Sequence, residues 1–127
     1  MLVTLKDMMG IAEKEGIAIG GFNTPNLASL EAVIGAAEEE KLPVILMFAE
    51  CHDEWVSLDL IGPAMLNAAK QATVPVCVHL DHGEHLEYLK KALELGFTGI
   101  MYDGSVLPYE ENVANTKKAV EMAREHG

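Results

Sequence analysis

Apolar and polar positions alternate along this chain in two periods, one after the other. A short amphipathic opener (Leu5, Met8, Met9, Ala12) precedes Ile17–Phe22, which reads as a strand. Thr24-Pro25 then offers a capping hydroxyl and a proline for the first helical position, ahead of a stripe of Leu27, Leu30, Val33, Ile34 and Ala37. Glu38, Glu39, Glu40 and Lys41 close that helix in solvent. Pro43–Ala49 is a continuous apolar run of strand length. Leu58–Ala72 has helical periodicity, with Pro63 tolerable as a kink or an early-turn residue. Pro75–Leu80 is a third strand, and Leu86, Leu89 and Leu93 mark a helix that Gly96 terminates. Thr98–Tyr102 is a fourth strand. Leu107-Pro108-Tyr109-Glu110-Glu111 opens a last helix running to Gly127, its acids complementing the dipole.

Successive strand–helix units predict a parallel α/β sheet, and continuous apolar strands predict that both of its faces are covered. The reading is one (βα)4 domain over residues 1–127 with a short N-terminal helix, uninterrupted by linker, repeat or low-complexity stretch.

Charge narrows the range of partners. Nine Lys and Arg against twenty Asp and Glu leave a formal charge of −11, which argues against electrostatic binding of nucleic acid or an anionic membrane. An anionic substrate stays compatible with this balance, because amides at helix N-termini bind anions whatever the net charge. Two cysteines, Cys51 and Cys77, make no disulfide framework and fit a reducing cytosol. The longest uncharged stretch, Gly16 to Leu30, is broken by Gly, Asn and Pro, and acidic residues come too early for a secretory signal. A soluble, cytoplasmic protein is expected.

Parallel βα sheets place their chemistry at the carboxyl ends of the strands. Those ends read Asn23, then Ala49-Glu50-Cys51-His52, then Asp81-His82-Gly83, then Asp103-Gly104-Ser105. One polar mouth accounts for all four. Strand parity puts Asp81 on the face of His79 and Cys77, opposite Val76, Val78 and Leu80. A carboxylate at a dry strand end suits general acid/base work, or Asp81 caps the next helix. His82 is a metal ligand or a solvated ring, and Asp103 a metal or substrate ligand or an ordinary turn residue. Glu50 and His52 either join a metal site or belong to a surface loop. His79 reads as a satisfied interior histidine, His85 and His126 as solvated.

Four stretches carry a family resemblance: Gly21-Phe22-Asn23, Pro43-Val44-Ile45-Leu46, Val78-His79-Leu80-Asp81-His82-Gly83, and Met101 to Asn112, which reads MYDGSVLPYEEN. In this order they resemble the N-terminal half of the class II, metal-dependent fructose-bisphosphate aldolases and related ketose-bisphosphate aldolases. The resemblance implies half of a (β/α)8 barrel and cleavage or formation of a ketose bisphosphate, with dihydroxyacetone phosphate and an aldehyde as the pieces. It implies a Zn2+ ion that polarises the ketose carbonyl. Asp81 resembles the carboxylate that exchanges a proton with the C4 hydroxyl, His82 the first zinc-binding histidine, Asp103 a secondary metal-site acid and Asn23 a substrate-contacting amide. Ala49 stands where many members have serine, which leaves the sugar open. The family's two further zinc histidines and its glycine-rich phosphate region have no counterpart here, and one histidine does not make a three-ligand site. A half-barrel leaves its first and fourth strands as open edges. Completion by a homodimer or by a complementary half-barrel chain is therefore expected. The competing expectation is a non-catalytic, self-assembling half-barrel.

Overall fold

A computed structural model describes residues 1–127. The elements in chain order are α1 (Leu5–Glu15), β1 (Gly21–Asn23), α2 (Leu27–Glu40), β2 (Val44–Ala49), a 3-10 turn (Glu50–Glu54), α3 (Leu58–Gln71), β3 (Val76–Gly83), α4 (Leu86–Leu95), β4 (Gly99–Tyr102) and α5 (Tyr109–Glu125). The sheet order is β1-β2-β3-β4 and every pairing is parallel. This half-barrel-like α/β arrangement is the architecture expected from the alternation of periods.

Both faces of the sheet follow the parity of β3. Val76, Val78 and Leu80 enter the large core with Leu46 and Phe48 of β2, packed beneath helices α2 to α5. Cys77 points the other way and meets Ile45 and Met8 of α1 in a small second cluster. The prediction that both faces are fully covered is therefore corrected. Only α1 lies on the inner face, and all three residues of β1 remain exposed. Each inward residue of an eight-stranded barrel packs against strands across the barrel axis, and four strands supply no such opposite wall.

Local differences have local causes. Ile17–Phe22 is not a strand throughout: β1 begins at Gly21, where the chain reaches the ladder opposite Ile45. Upstream, Ile19 packs on the inner cluster without strand pairing. The cap of α2 is Asn26, whose Oδ1 accepts from the Ser29 amide at 2.9 Å, so Pro25 precedes the cap and does not open the helix. Thr24 instead continues the sheet, its amide donating to the Met47 carbonyl, while its hydroxyl is buried without a partner. α1 carries a full capping box of Thr4 and Asp7. Pro63 lies inside α3, Gly96 ends α4 at φ 105°, and α5 starts after Pro108. The largest difference bears on function. β3 does not stop at Leu80 but continues through Asp81-His82-Gly83, so the polar motif is part of the ladder.

Candidate functional site

β3 presents Asp81 on the inner face above His79, and the parallel register sets Asn23, Met47, His79 and Gly99 side by side across the sheet. Asn23 Nδ2 donates to Asp81 Oδ2 at 3.3 Å. One carboxylate oxygen is thus held by an amide, and Oδ1 makes no hydrogen bond and stands 3.9 Å from His82 Nε2.

His82 does not follow strand alternation. The pairing of β3 with β4 slips by one residue between Leu80 and Gly83, and His82 takes φ 44° in the left-handed region. Such a backbone is uncommon outside glycine and costs on the order of 1–2 kcal/mol. Its consequence is directional: a bulge re-aims a side chain. The His82 ring turns so that Nδ1 lies 2.6 Å from Asp103 Oδ2, while Nε2 stands 3.9 Å from Asp81 Oδ1. Gly83 follows because nothing larger fits. A Cβ there would meet Leu89 Cδ1 at 2.4 Å and the Met101 carbonyl at 3.2 Å.

Asp103 holds the other end of this chain of contacts. Its Oδ1 accepts from the Ser105 amide at 3.0 Å. Hydrogen bonding to Ser105, then to His82, draws the Asp103 carboxyl down to about 2. The same contact, reinforced by the charge of Asp81, raises the His82 imidazole above its ordinary value. Asn23, Asp81, His82 and Asp103 thus form one connected array at the carboxyl ends of β1, β3 and β4.

Other polar residues at the strand ends go elsewhere. His52 Nδ1 accepts from the Ala49 amide and its ring stacks on Trp55 at 5.3 Å, away from the array. Glu50 forms a second cluster that the sequence did not signal. It accepts from the amides of Glu84 and His85 and lies 2.6 Å from His85 Nδ1. His85 is exposed, as expected, and is in addition paired with Glu50. Asp53 accepts from Tyr88 and from the Leu58 amide, which lowers its carboxyl. Glu50 and Asp53 meet Glu84, His85 and Tyr88 more than thirty residues away in sequence, and such pairings leave no periodic trace. His126 closes on the Met122 carbonyl at the end of α5. His79 is interior, as expected, but its Nδ1 has no partner, so it is not satisfied. Burial pushes the His79 imidazole down, against the opposing charge of Asp81.

The donor set does not fit a complete zinc site. No three His, Cys, Asp or Glu side chains converge to hold a metal. His82 offers Nε2 with Nδ1 oriented by a carboxylate, as metal-ligating histidines commonly are. It supplies one position where a catalytic zinc takes three protein ligands.

Fold and array together define a parallel βα half-barrel with an acid/base mouth at the strand carboxyl ends. The chain belongs to the class II fructose-bisphosphate aldolase family, whose model matches residues 3–127. It is 44% identical to a probable fructose-bisphosphate aldolase of Bacillus subtilis (strain 168) over 99% of this chain and 45% of that protein. It is 41% identical to the fructose-bisphosphate aldolase of Staphylococcus aureus (strain Mu50) over the same shares. The YdjI aldolase from Escherichia coli K12 superposes with a TM-score of 0.92 at 36% identity, covering 98% of this chain and 49% of that one. The chain spans about half the length of the relatives it matches. No helix is long and apolar enough to cross a membrane.

Proposed function

We propose that these residues form one half of an aldol-cleaving site for a ketose bisphosphate, with Asp81 as the proton-transfer group. The observation that carries this reading is the array itself: Asn23 holds one Asp81 oxygen, and the other, free of hydrogen bonds, lies beside the His82 ring. In cleavage, Asp81 takes the proton of the C4 hydroxyl. The C3–C4 bond then breaks, the C4 oxygen becomes the aldehyde carbonyl, and the bond's electron pair stays with the dihydroxyacetone phosphate fragment. Asn23 orients the carboxylate and contacts substrate. His82 and Asp103 are the candidate metal-site residues, His82 offering Nε2 and Asp103 fixing its ring. The remaining metal ligands lie outside these side chains, and no step through the metal follows from this half. The compartment that fits the reading is the cytoplasm.

The test is a graft. This chain replaces the matching N-terminal 45% of the Bacillus subtilis relative, and cleavage of fructose 1,6-bisphosphate is followed with and without chelator. The expected graft is active, chelator-sensitive and reduced at least about 100-fold by Asp81→Asn. A folded graft without activity, or activity surviving both chelator and Asp81→Asn, overturns the reading.

A further inference from the structure

The ladder between β2 and β3 ends at the pair Ala49 and Asp81. Beyond it β2 turns away into the 3-10 turn, while β3 runs on through His82 and Gly83. On that side the ladder supplies no further partner, and the side chain of Glu50 takes its place. Glu50 Oε2 accepts from the Glu84 amide at 2.7 Å and from the His85 amide at 3.2 Å. Its Oε1 meets His85 Nδ1 at 2.6 Å. The Glu50 side chain is 17% exposed and that of His85 74%. An ion pair with so exposed a ring contributes little, so the hold lies in the two amides. They stand just ahead of α4, whose N-cap residue His85 makes no side-chain cap of its own. A carboxylate is favoured there by the helix dipole.

His82 lies between this clamp and a second one. On the β4 side the Asp103 amide donates to the Gly83 carbonyl at 2.8 Å, and Asp103 Oδ2 lies 2.6 Å from His82 Nδ1. His82 keeps φ 44°, a conformation that persists only where its surroundings over-determine it. One residue after that angle the chain is fixed by Asp103. At the next two residues it is fixed by Glu50. Gly83, in between, carries no side chain that could hold the turn by packing.

We infer that Glu50 is a positioning residue for His82. By holding the amides of Glu84 and His85 it keeps the turn between β3 and α4 in the form that aims the His82 ring at Asp103. Release of the two amides lets the His82 φ return to the negative region, and the ring leaves Asp103. Every contact in the clamp is made between neighbouring βα units of this chain. The inference rests on reading His82 as a site residue, and Glu50 acts through the backbone and not on a substrate.

NMR of the 127-residue chain tests it, because a positive φ gives a strong intraresidue HN–Hα NOE. In Glu50→Ala that NOE at His82 should fall to the level of the extended residues of β3. The Glu84 and His85 amides should then exchange at least about tenfold faster. Glu50→Gln keeps an acceptor of the same reach and should keep the NOE. Glu50→Asp, one methylene shorter, should lose it and serves where the alanine variant does not fold. Tyr88→Phe loosens the same 3-10 turn by removing the hydrogen bond to Asp53. It should lower the unfolding midpoint and leave the His82 NOE as it is, which separates positioning from plain stabilisation. A strong His82 NOE in folded Glu50→Ala overturns the inference. So does its loss in Glu50→Gln, or an equal loss in Tyr88→Phe. None of these outcomes involves catalysis, so the graft can fail while the clamp stands, and the clamp can fail in an active graft.

Discussion

His82 shows how much one backbone angle decides. In sequence it is the histidine after Asp81, and alternation would aim it at the helix layer with Leu80. The positive φ and the register slip turn it to Asp103 instead. The pairing has a testable electrostatic consequence. His82 is raised by its bond to Asp103, so its stabilising contribution is complete below the unfolded value near 6.5 and is lost as pH rises through the raised folded value. Asp103 is depressed to about 2, so its contribution is present above about 4 and is lost as pH falls through about 2. The pair is therefore fully effective between about pH 4 and pH 6. Asp103→Asn should return the His82 midpoint toward 6.5 in an NMR titration, and an unmoved midpoint would mean that the contact is absent in solution. Asp81, His82 and Asp103 were legible as candidates because polar residues stand out at the ends of apolar strands. Their mutual geometry was not, because no spacing rule encodes a bulge.

Among the elements, the start of α2 separates a plausible signal from the real one. Thr24-Pro25 has the form of a helix start, but the Thr24 amide is drawn into the ladder by Met47 and the cap passes to Asn26. Denaturant unfolding can tell the two apart. Asn26→Ala should cost about 1 kcal/mol, the usual worth of a side-chain cap. Thr24→Val should be neutral or stabilising, since it removes a buried hydroxyl that has no partner. Equal losses at both positions would contradict this assignment. The strands and helices themselves were legible to within a few residues, since apolar runs and 3.6-residue stripes report burial directly. Their ends depend on which neighbour the backbone meets, and that neighbour lies far away in sequence.

At the scale of the whole molecule, the acidic balance and the apolar core pull in opposite directions. The chain carries −11, so its own charges repel one another and oppose the compact state. Salt shortens the screening length from ~30 Å at 0.01 M to ~8 Å at 0.15 M. The thermal unfolding midpoint should therefore rise as sodium chloride goes from about 10 to 150 mM, read by circular dichroism. A midpoint that falls over that range would mean that attractive ion pairs such as Lys91 with Asp59 outweigh the net repulsion. Such a balance belongs to the whole fold, since the charge is summed over the chain while each pair exists only once the elements meet.

Periodicity and strand-end polarity by themselves determined a parallel βα chain and the inward parity of Asp81, because burial imposes regular spacing and a mouth collects polar residues at strand ends. The family came separately, from the resemblance of particular motifs such as His79-Leu80-Asp81-His82-Gly83. Tertiary structure alone decided that β3 runs through the motif, that Asp103 orients His82 while Glu50 holds His85, and that Thr24 joins the ladder at Met47. Those outcomes rest on contacts between residues remote in sequence, and a linear pattern carries no record of which distant partner each group will meet.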